Sequence, residues 1–578
     1  MSSNSKKQAK ELRSSRWFGG TPSSTEHTAH ALQAGYSREE FEGRPIIGII
    51  NTWSDMNPCH AHLRQRAESV KRGVWQAGGF PVELPAMSIG EGYVKPSSMM
   101  YRNFLAMETE ELLRCHPIDG AILLGGCDKT TPALMMGAIS MNIPAIYCPA
   151  GFTMGATYKG ERFGSGTGAF RWAPELIAGN LSVDEWEKLE QKIWSSPGTC
   201  NTMGTASTMT ALVETMGMSL TGASSVPAMD SRGHQLAAAS GRRIVQMVWD
   251  DLKPTDILTE ASIHNAAKVC VALGGSTNAA IHLLAIARRA GFNFSLDDFD
   301  EFGRVVPVLA NVQPSGKYIM PEFSDAGGLP ALLNNMAEKL DLDCLTVNGR
   351  ILGENILGAQ AEDDDVIRTL DNPIARVSLA VLKGNLSPNG CVIKPSASDP
   401  KLQEHRGRAV VFNNADDLAV RIHSPELEVD ATSILVLRNV GPKGGPGMAE
   451  NGMIPIPRKL AEQGIRDMVR ISDARMSGTS FGTCVLHVSP ESWIGGPLAL
   501  VEDGDEIELS VSNRSITLCV EDDVLEGRRQ AWKPKQDHYK RGWGLLFTDN
   551  VSQAHEGCDF EILASREHTP EPAIHGKV

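Results

Sequence analysis

No stretch of this chain approaches the roughly 18 uninterrupted apolar residues that a membrane-spanning helix needs. The nearest, from Thr208 to Met229, is broken by Glu214, by glycines and by Pro227. A membrane protein is therefore not expected. Excess positive charge is lacking too. Lys and Arg number 55 against 69 Asp and Glu, a net charge of −14, so neither a nucleic-acid footprint nor a polybasic membrane anchor is expected. The first 16 residues are polar and basic with no apolar core, which speaks against a secretory signal and for a cytoplasmic protein. Paired cysteine spacing is also missing. The 11 cysteines include no C-x-x-C, so neither a zinc finger nor a ferredoxin-type cluster is indicated, and reduced thiols fit better than a disulfide framework. Low-complexity tracts and fixed-period repeats are absent as well.

What is there is ordinary for a soluble enzyme: 42% hydrophobic and 21% charged residues over 578 positions, enough for about two to four domains. The early chain alternates strand, loop and helix. Pro45–Ile50 and Gly120–Leu124 are short apolar runs that read as buried strands. Each leads into a polar loop and then a helix. The first helix is expected to start at Pro58, with Asn57 as its cap, and the second at Pro132, capped by Thr131. A third loop, Ser195 to Thr202, leads into a helix from about Gly204 to Met218. This texture predicts an N-terminal α/β domain with a parallel sheet, residues 1–375, whose strand-end loops carry ligands. From residue 376 to 578 the runs become β-like. Ile507, Leu509 and Val511 alternate with polar residues, as do Ile516, Leu518 and Val520, with Ser512–Arg514 as the turn between them. A β-rich, barrel-like second domain is expected, joined near Glu362–Asp371, and Ser565–Val578 reads as a frayed or docking tail.

Cys59, Cys127 and Cys200 each sit in a loop at or just before an expected helix N-terminus, where the dipole favours the metal-binding thiolate. Cys115, Cys148, Cys270, Cys344, Cys519 and Cys558 read as small apolar residues. Asp128 and Lys129 directly follow Cys127, and Glu91 stands between two glycines. Gly441–Glu450 is dense in Gly and Pro but lacks the spacing of a phosphate loop. Gly478–Gly482 matches G-x-S-x-G, yet the β-like Thr483–Val488 follows where a hydrolase elbow needs a helix.

Six segments together, Asn51–His60, Gly125–Pro132, Gly198–Ala206, Gly384–Cys391, Gly441–Glu450 and Asp473–Gly482, resemble the dihydroxy-acid and sugar-acid dehydratase family, in the family's order and over nearly the whole chain. The resemblance implies an α/β domain followed by a barrel-like domain, with the site between them. It implies a 2Fe–2S cluster on Cys59, Cys127 and Cys200, a four-iron cluster being the family's alternative. It implies Mg²⁺ on Glu91, Asp128, Glu450 and Lys129, the lysine as a carbamate. A serine base is implied within Arg475–Ser480; Ser480 is favoured over Ser477. In that chemistry an iron short of a protein ligand takes the C3 hydroxyl as Lewis acid, Mg²⁺ holds the carboxylate and C2 hydroxyl, and the serine removes the C2 proton. Loss of water then gives an enol and a 2-keto acid. Glu91, an Asp in many branched-chain members, and Trp53 favour a sugar acid such as L-arabinonate over a dihydroxy acid. A non-catalytic iron–sulfur sensor is the reading of a different class; it would need none of the oxygen ligands. The expected partner is a small-molecule sugar acid, and the expected assembly a homodimer or homotetramer.

Overall fold

The computed structural model describes residues 6–20, 22–177, 179–564 and 569–574. In the first half four parallel strands, β1 (Ile46–Asn51), β2 (Phe80–Pro85), β3 (Gly120–Gly125) and β4 (Ala145–Pro149), lie in the order β2–β1–β3–β4. Every residue of β1, β3 and β4 is buried, as continuous apolar strands in a layered sheet must be. A side chain at Gly120 would strike Val248 and Ile244, and one at Gly125 would strike Leu134 and Thr130. Five residues apart, these positions face opposite sides of β3. The helix Ser231–Asp250 therefore covers one face and the helix Thr130–Met141 the other.

Ser231–Asp250 also packs closely along Leu63–Gln76. A Cβ on Gly73 would stand 2.0 Å from the Ala238 carbonyl oxygen, and one on Gly241 would stand 2.3 Å from that of Val70. Backbone cannot retreat as a side chain can, so Gly73→Ala is expected to destabilise the protein by about 1–3 kcal/mol, read as a lower melting temperature. Gly527→Ala is the control: it lies in the helix Asp522–Ala531 with nothing within 4 Å of the added carbon, and alanine there is expected to be neutral or better.

A short hairpin follows, β5 (Ala156–Tyr158) and β6 (Glu161–Phe163). The second half holds β7 (Ala380–Gly384), β8 (Ser387–Ile393), β9 (Glu404–Phe412), β10 (Ile434–Leu437), β11 (Arg470–Ser472), β12 (Cys484–Ser489), β13 (Glu506–Ser510) and β14 (Ser515–Leu518). They close into a barrel in the order β10–β11–β12–β8–β7–β14–β13–β9, filled by residues such as Ile393, Val436, Ile471, Val485, Leu509 and Ile516. The fold is thus the expected α/β half with a parallel sheet, followed by a barrel.

Three local expectations change. The helix after β1 begins at Leu63 rather than Pro58, because Asn57–His62 forms tight turns in which Asn57 Oδ1 accepts from the Cys59 amide at 3.2 Å. The helix after β3 starts at Thr130, and Thr131 Oγ1 donates back to the Gly126 carbonyl instead of capping. The loop of Cys200 follows a helix, Val183–Ile193, and reaches the sheet end through a bridge between Phe152 and Thr199.

The chain finally returns to the first half. Arg102 donates to the carbonyls of Gly557 and Cys558, both at 2.8 Å, and Arg289 pairs with Asp559 at 2.7 Å. In the tail, Glu571 pairs with Arg13 and Arg16, and the Thr569 carbonyl accepts from Arg114; residues 565–568 and 575–578 lie outside the described residues. Among those described, no helix is long and apolar enough to cross a membrane.

Candidate active site

The loop leaving β3 carries Cys127, Asp128 and Lys129 in succession, so one turn of chain serves two neighbouring groups. The first is acidic. Glu91, after β2, and Glu450, between β10 and β11, come to Asp128 so closely that one oxygen from each carboxylate lies within 4.8 Å of the others. Lys129, fully buried, stands among them, with Nζ 3.0 Å from Glu91, 3.2 Å from Glu450 and 3.4 Å from Asp128. Arg475, also fully buried, reaches Glu450 at 3.0 Å and Ser97 Oγ at 3.1 Å. Ser98 Oγ donates to Glu91, and Asn278 Nδ2 reaches Glu450 at 3.4 Å.

These charges set each other. Burial opposes ionisation of Glu91, but Lys129 and Arg475 outweigh it and hold the carboxyl down at about 2. Burial and then Glu91 push Glu450 up, against Lys129 and Arg475. Burial and Arg475 oppose the charge on Lys129, yet Glu91, Glu450 and Asp128 prevail and keep the amine cationic, above its ordinary range. Three converging carboxylates are a hard oxygen donor set of the kind that suits Mg²⁺.

The second group is sulfur. Cys127 is buried with φ +37°, a left-handed conformation uncommon outside glycine, and its thiol is a hydrogen-bond partner of the Cys59 thiol. Cys200 is close enough to act on Cys59 and to be acted on by Cys127. For Cys59 and Cys200 the surroundings work against the thiolate that a helix dipole would favour. That bond to Cys127, burial, and repulsion from Cys127 and Cys200 raise the Cys59 thiol, while burial, Asp128 and Cys127 push Cys200 up to about 12. Thiols brought near one another from three loops, with Cys59 and Cys200 both raised, fit a soft metal that displaces protons on binding. All three are free, as are the other eight cysteines.

Sequence reasoning missed His60. Its ring is wholly buried and bridges the first two cysteine loops, Nδ1 at 2.9 Å from the Thr52 carbonyl and Nε2 accepting the Gly126 amide at 3.0 Å. Burial drives it down to about 4, so it stays neutral and keeps both bonds. Its adjacency to Cys59 was the available signal. Arg475 and Asn278 were likewise missed. Trp53 is half-buried, with Nε1 donating to the Ala61 carbonyl at 3.0 Å and Arg64, from the helix Leu63–Gln76, stacked on the ring at 3.7 Å.

The loop Asp473–Gly482 joins the groups. Met476 O accepts from Asn278 Nδ2 at 3.0 Å, and Gly478 lies so near the Thr205 amide that a Cβ would stand 2.4 Å from it. This loop therefore sits over the N-terminus of the helix Thr205–Thr215, five residues after Cys200. Ser480 is buried; Ser477 is partly buried, its Oγ 3.0 Å from Thr479 Oγ1 and accepting the Thr479 amide at 3.4 Å. The strand β12 follows directly, which removes the hydrolase-elbow reading.

Two family models match in tandem, the N-terminal dihydroxy-acid/6-phosphogluconate dehydratase domain over residues 44–355 and its C-terminal counterpart over 365–558. A 6-deoxy-6-sulfo-D-gluconate dehydratase of Pseudomonas putida is 50% identical over 574 residues, 98% of this chain and 99% of that protein. An L-arabinonate dehydratase of Rhizobium leguminosarum bv. trifolii is 48% identical over 558 residues, 96% of each. A dihydroxy-acid dehydratase of Methanothermobacter thermautotrophicus is 38% identical over 540 residues, 92% of this chain and 97% of the other.

Proposed function

The chain belongs to the dihydroxy-acid/6-phosphogluconate dehydratase family, and we propose that it dehydrates a sugar acid, L-arabinonate in the first instance, to the 2-keto-3-deoxy acid. The observation that carries this reading is the loop Cys127–Lys129, which contributes one member to a sulfur group and two to a group rich in oxygen donors. A sensor would have no use for the second. The 48% identity to an L-arabinonate dehydratase and the 38% identity to a dihydroxy-acid dehydratase favour the sugar acid. The 50% identity to a 6-deoxy-6-sulfo-D-gluconate dehydratase supports a six-carbon aldonate as the second reading.

In this proposal Cys59, Cys127 and Cys200 hold a 2Fe–2S cluster, and Glu91, Asp128, Glu450 and carbamylated Lys129 hold Mg²⁺. When bound, these groups supply Lewis acidity at the C3 hydroxyl and positive charge at the substrate carboxylate. The protein does the rest. Ser480, as its alkoxide, takes the proton from C2, the electrons of that C–H bond form the C2–C3 double bond as the C3–O bond breaks, and the proton carried by Ser480 passes to the departing hydroxide, which leaves as water and restores the alkoxide. The enol then tautomerises to the keto acid. Arg475 and Asn278 fix Glu450, and the Asp473–Gly482 loop excludes solvent above the Thr205 helix. Ser477 acts as a turn cap for Thr479.

A positioned base is worth about 10²–10⁴-fold in rate. Ser480→Ala is expected to lose that much kcat with iron and magnesium retained, and Ser477→Ala far less, since a cap is worth about 1 kcal/mol. Exchange of the C2 proton with solvent is the decisive readout. If both variants exchange and turn over normally, the base lies elsewhere. Substrate is tested with a panel of aldonates and 2,3-dihydroxy acids assayed for 2-keto acid. L-Arabinonate is expected to turn over fastest; fastest turnover of the sulfo-gluconate selects the second reading, and turnover of branched dihydroxy acids alone refutes both.

A further inference from the structure

The Gly- and Pro-rich loop Gly441–Glu450 is not an external anion site, because its amides already hold an anion belonging to the protein. The Lys443 amide donates to both oxygens of Glu491, at 3.1 and 3.0 Å, and the Gly444 amide to Oε2 at 2.9 Å. Gln553 Nε2 adds a donor at 2.9 Å, and its Oε1 accepts the Glu491 amide at 2.9 Å. Glu491 is fully buried and, among the described residues, has no ion-pair partner. The loop wraps it so closely that a Cβ on Gly441 would stand 2.7 Å from Oε2. Successive amides turned inward form a nest for negative charge, and here the nest is filled from within.

The same loop delivers Glu450. Beyond the nest, Gly447 and Met448 both take left-handed φ, +83° and +51°. Gly447 presses on the Met100 backbone, where a Cβ would stand 2.5 Å from nitrogen, and its carbonyl accepts from Ser97 Oγ at 2.9 Å. One end of the segment is thus anchored on Glu491 and the middle on Ser97–Met100. Glu450 is three residues on.

We propose that Glu491 is a positioning residue for the cation site: as an internal anion it fixes the backbone of the 441–450 loop and thereby sets where the Glu450 carboxylate stands. This rests on the reading of Glu450 as a cation ligand. Partners behind a metal ligand typically govern about 10–100-fold in affinity. A glutamine at 491 would turn an NH₂ group toward amide donors, and a buried donor without an acceptor is costly.

The test is Mn²⁺ binding to the iron-loaded protein, followed by electron paramagnetic resonance, with iron content and melting temperature measured in parallel. It is run at pH 8, where the Glu491 carboxyl, pushed up to about 7 by burial and then by Asp473, is ionised. Glu450→Gln comes first: unchanged Mn²⁺ affinity there removes the cation reading itself. If Glu450→Gln weakens binding, Glu491→Gln is expected to weaken it by about tenfold or more with iron retained. Glu491→Ala is expected to do the same and to recover when formate is added, because formate refills the nest. Wild-type affinity in Glu491→Gln, or an alanine variant indifferent to formate, overturns the assignment while leaving the cation reading intact. So does unfolding of both variants, since the role assigned is local to one loop.

Discussion

Exchange of Cys200 for serine is expected to leave a folded, colourless protein without iron and without activity. The wild-type protein, purified without air, should be brown, with about two iron and two sulfide per chain. The expectation follows from the chemistry of the three-thiol group. Burial and mutual repulsion keep Cys59 and Cys200 protonated when nothing is bound, so loading must displace protons and weaken as pH falls. A serine hydroxyl gives up its proton far less readily than a thiol and is a hard oxygen donor, so it cannot replace the third ligand. Cys59→Ser and Cys127→Ser should behave alike. Cys115→Ser is the control, an exposed thiol on the helix Arg102–Cys115, and should keep full iron. Full iron in Cys200→Ser would sink the ligand assignment.

Much of the fold is legible in the sequence for simple reasons. Ile46–Ile50 and Gly120–Leu124 are continuous apolar runs, too short for a helix of ordinary length and suited to a strand buried on both faces. Ile507/Leu509/Val511 and Ile516/Leu518 alternate, as a half-buried hairpin demands, and β13 and β14 pair there in register. Closure of the barrel is not legible, because it depends on β11, three residues long and starting with a buried arginine, and on β8, which contains Pro388. The site divides the same way. Cys127, Asp128 and Lys129 are contiguous, so their grouping is visible in one dimension. Glu91 and Glu450 are far apart in sequence; the glycines on either side of Glu91 marked it as a candidate, and only the family resemblance joined it to Glu450. Arg475 and Asn278 matter because they answer buried charge, and the need for a partner becomes visible only once the acids are placed.

Lys129→Arg is expected to fold, to keep its iron, and to lose cation binding and activity together. As described, three carboxylates face two buried cations, Lys129 and Arg475, leaving one net negative charge. Mg²⁺ added to that arrangement would leave one net positive charge in a buried site, beside an ammonium group that repels it. Carbamylation changes Lys129 from a cation to an anion. With Mg²⁺ present the sum is again one negative charge, and the lysine has become an oxygen donor of the sort Mg²⁺ prefers. The ammonium loses one proton, its nitrogen bonds to the carbon of CO₂, and a second proton leaves the nitrogen. Each site filled therefore takes up one CO₂ and releases two protons. Arginine keeps the positive charge that the acids need, which preserves the fold, but it stays protonated in proteins and cannot follow this route. Wild-type protein stripped of Mg²⁺ in CO₂-free buffer should accordingly regain activity only when Mg²⁺ and bicarbonate are supplied together. Near wild-type turnover in Lys129→Arg, or full recovery with Mg²⁺ alone, would rule the carbamate out.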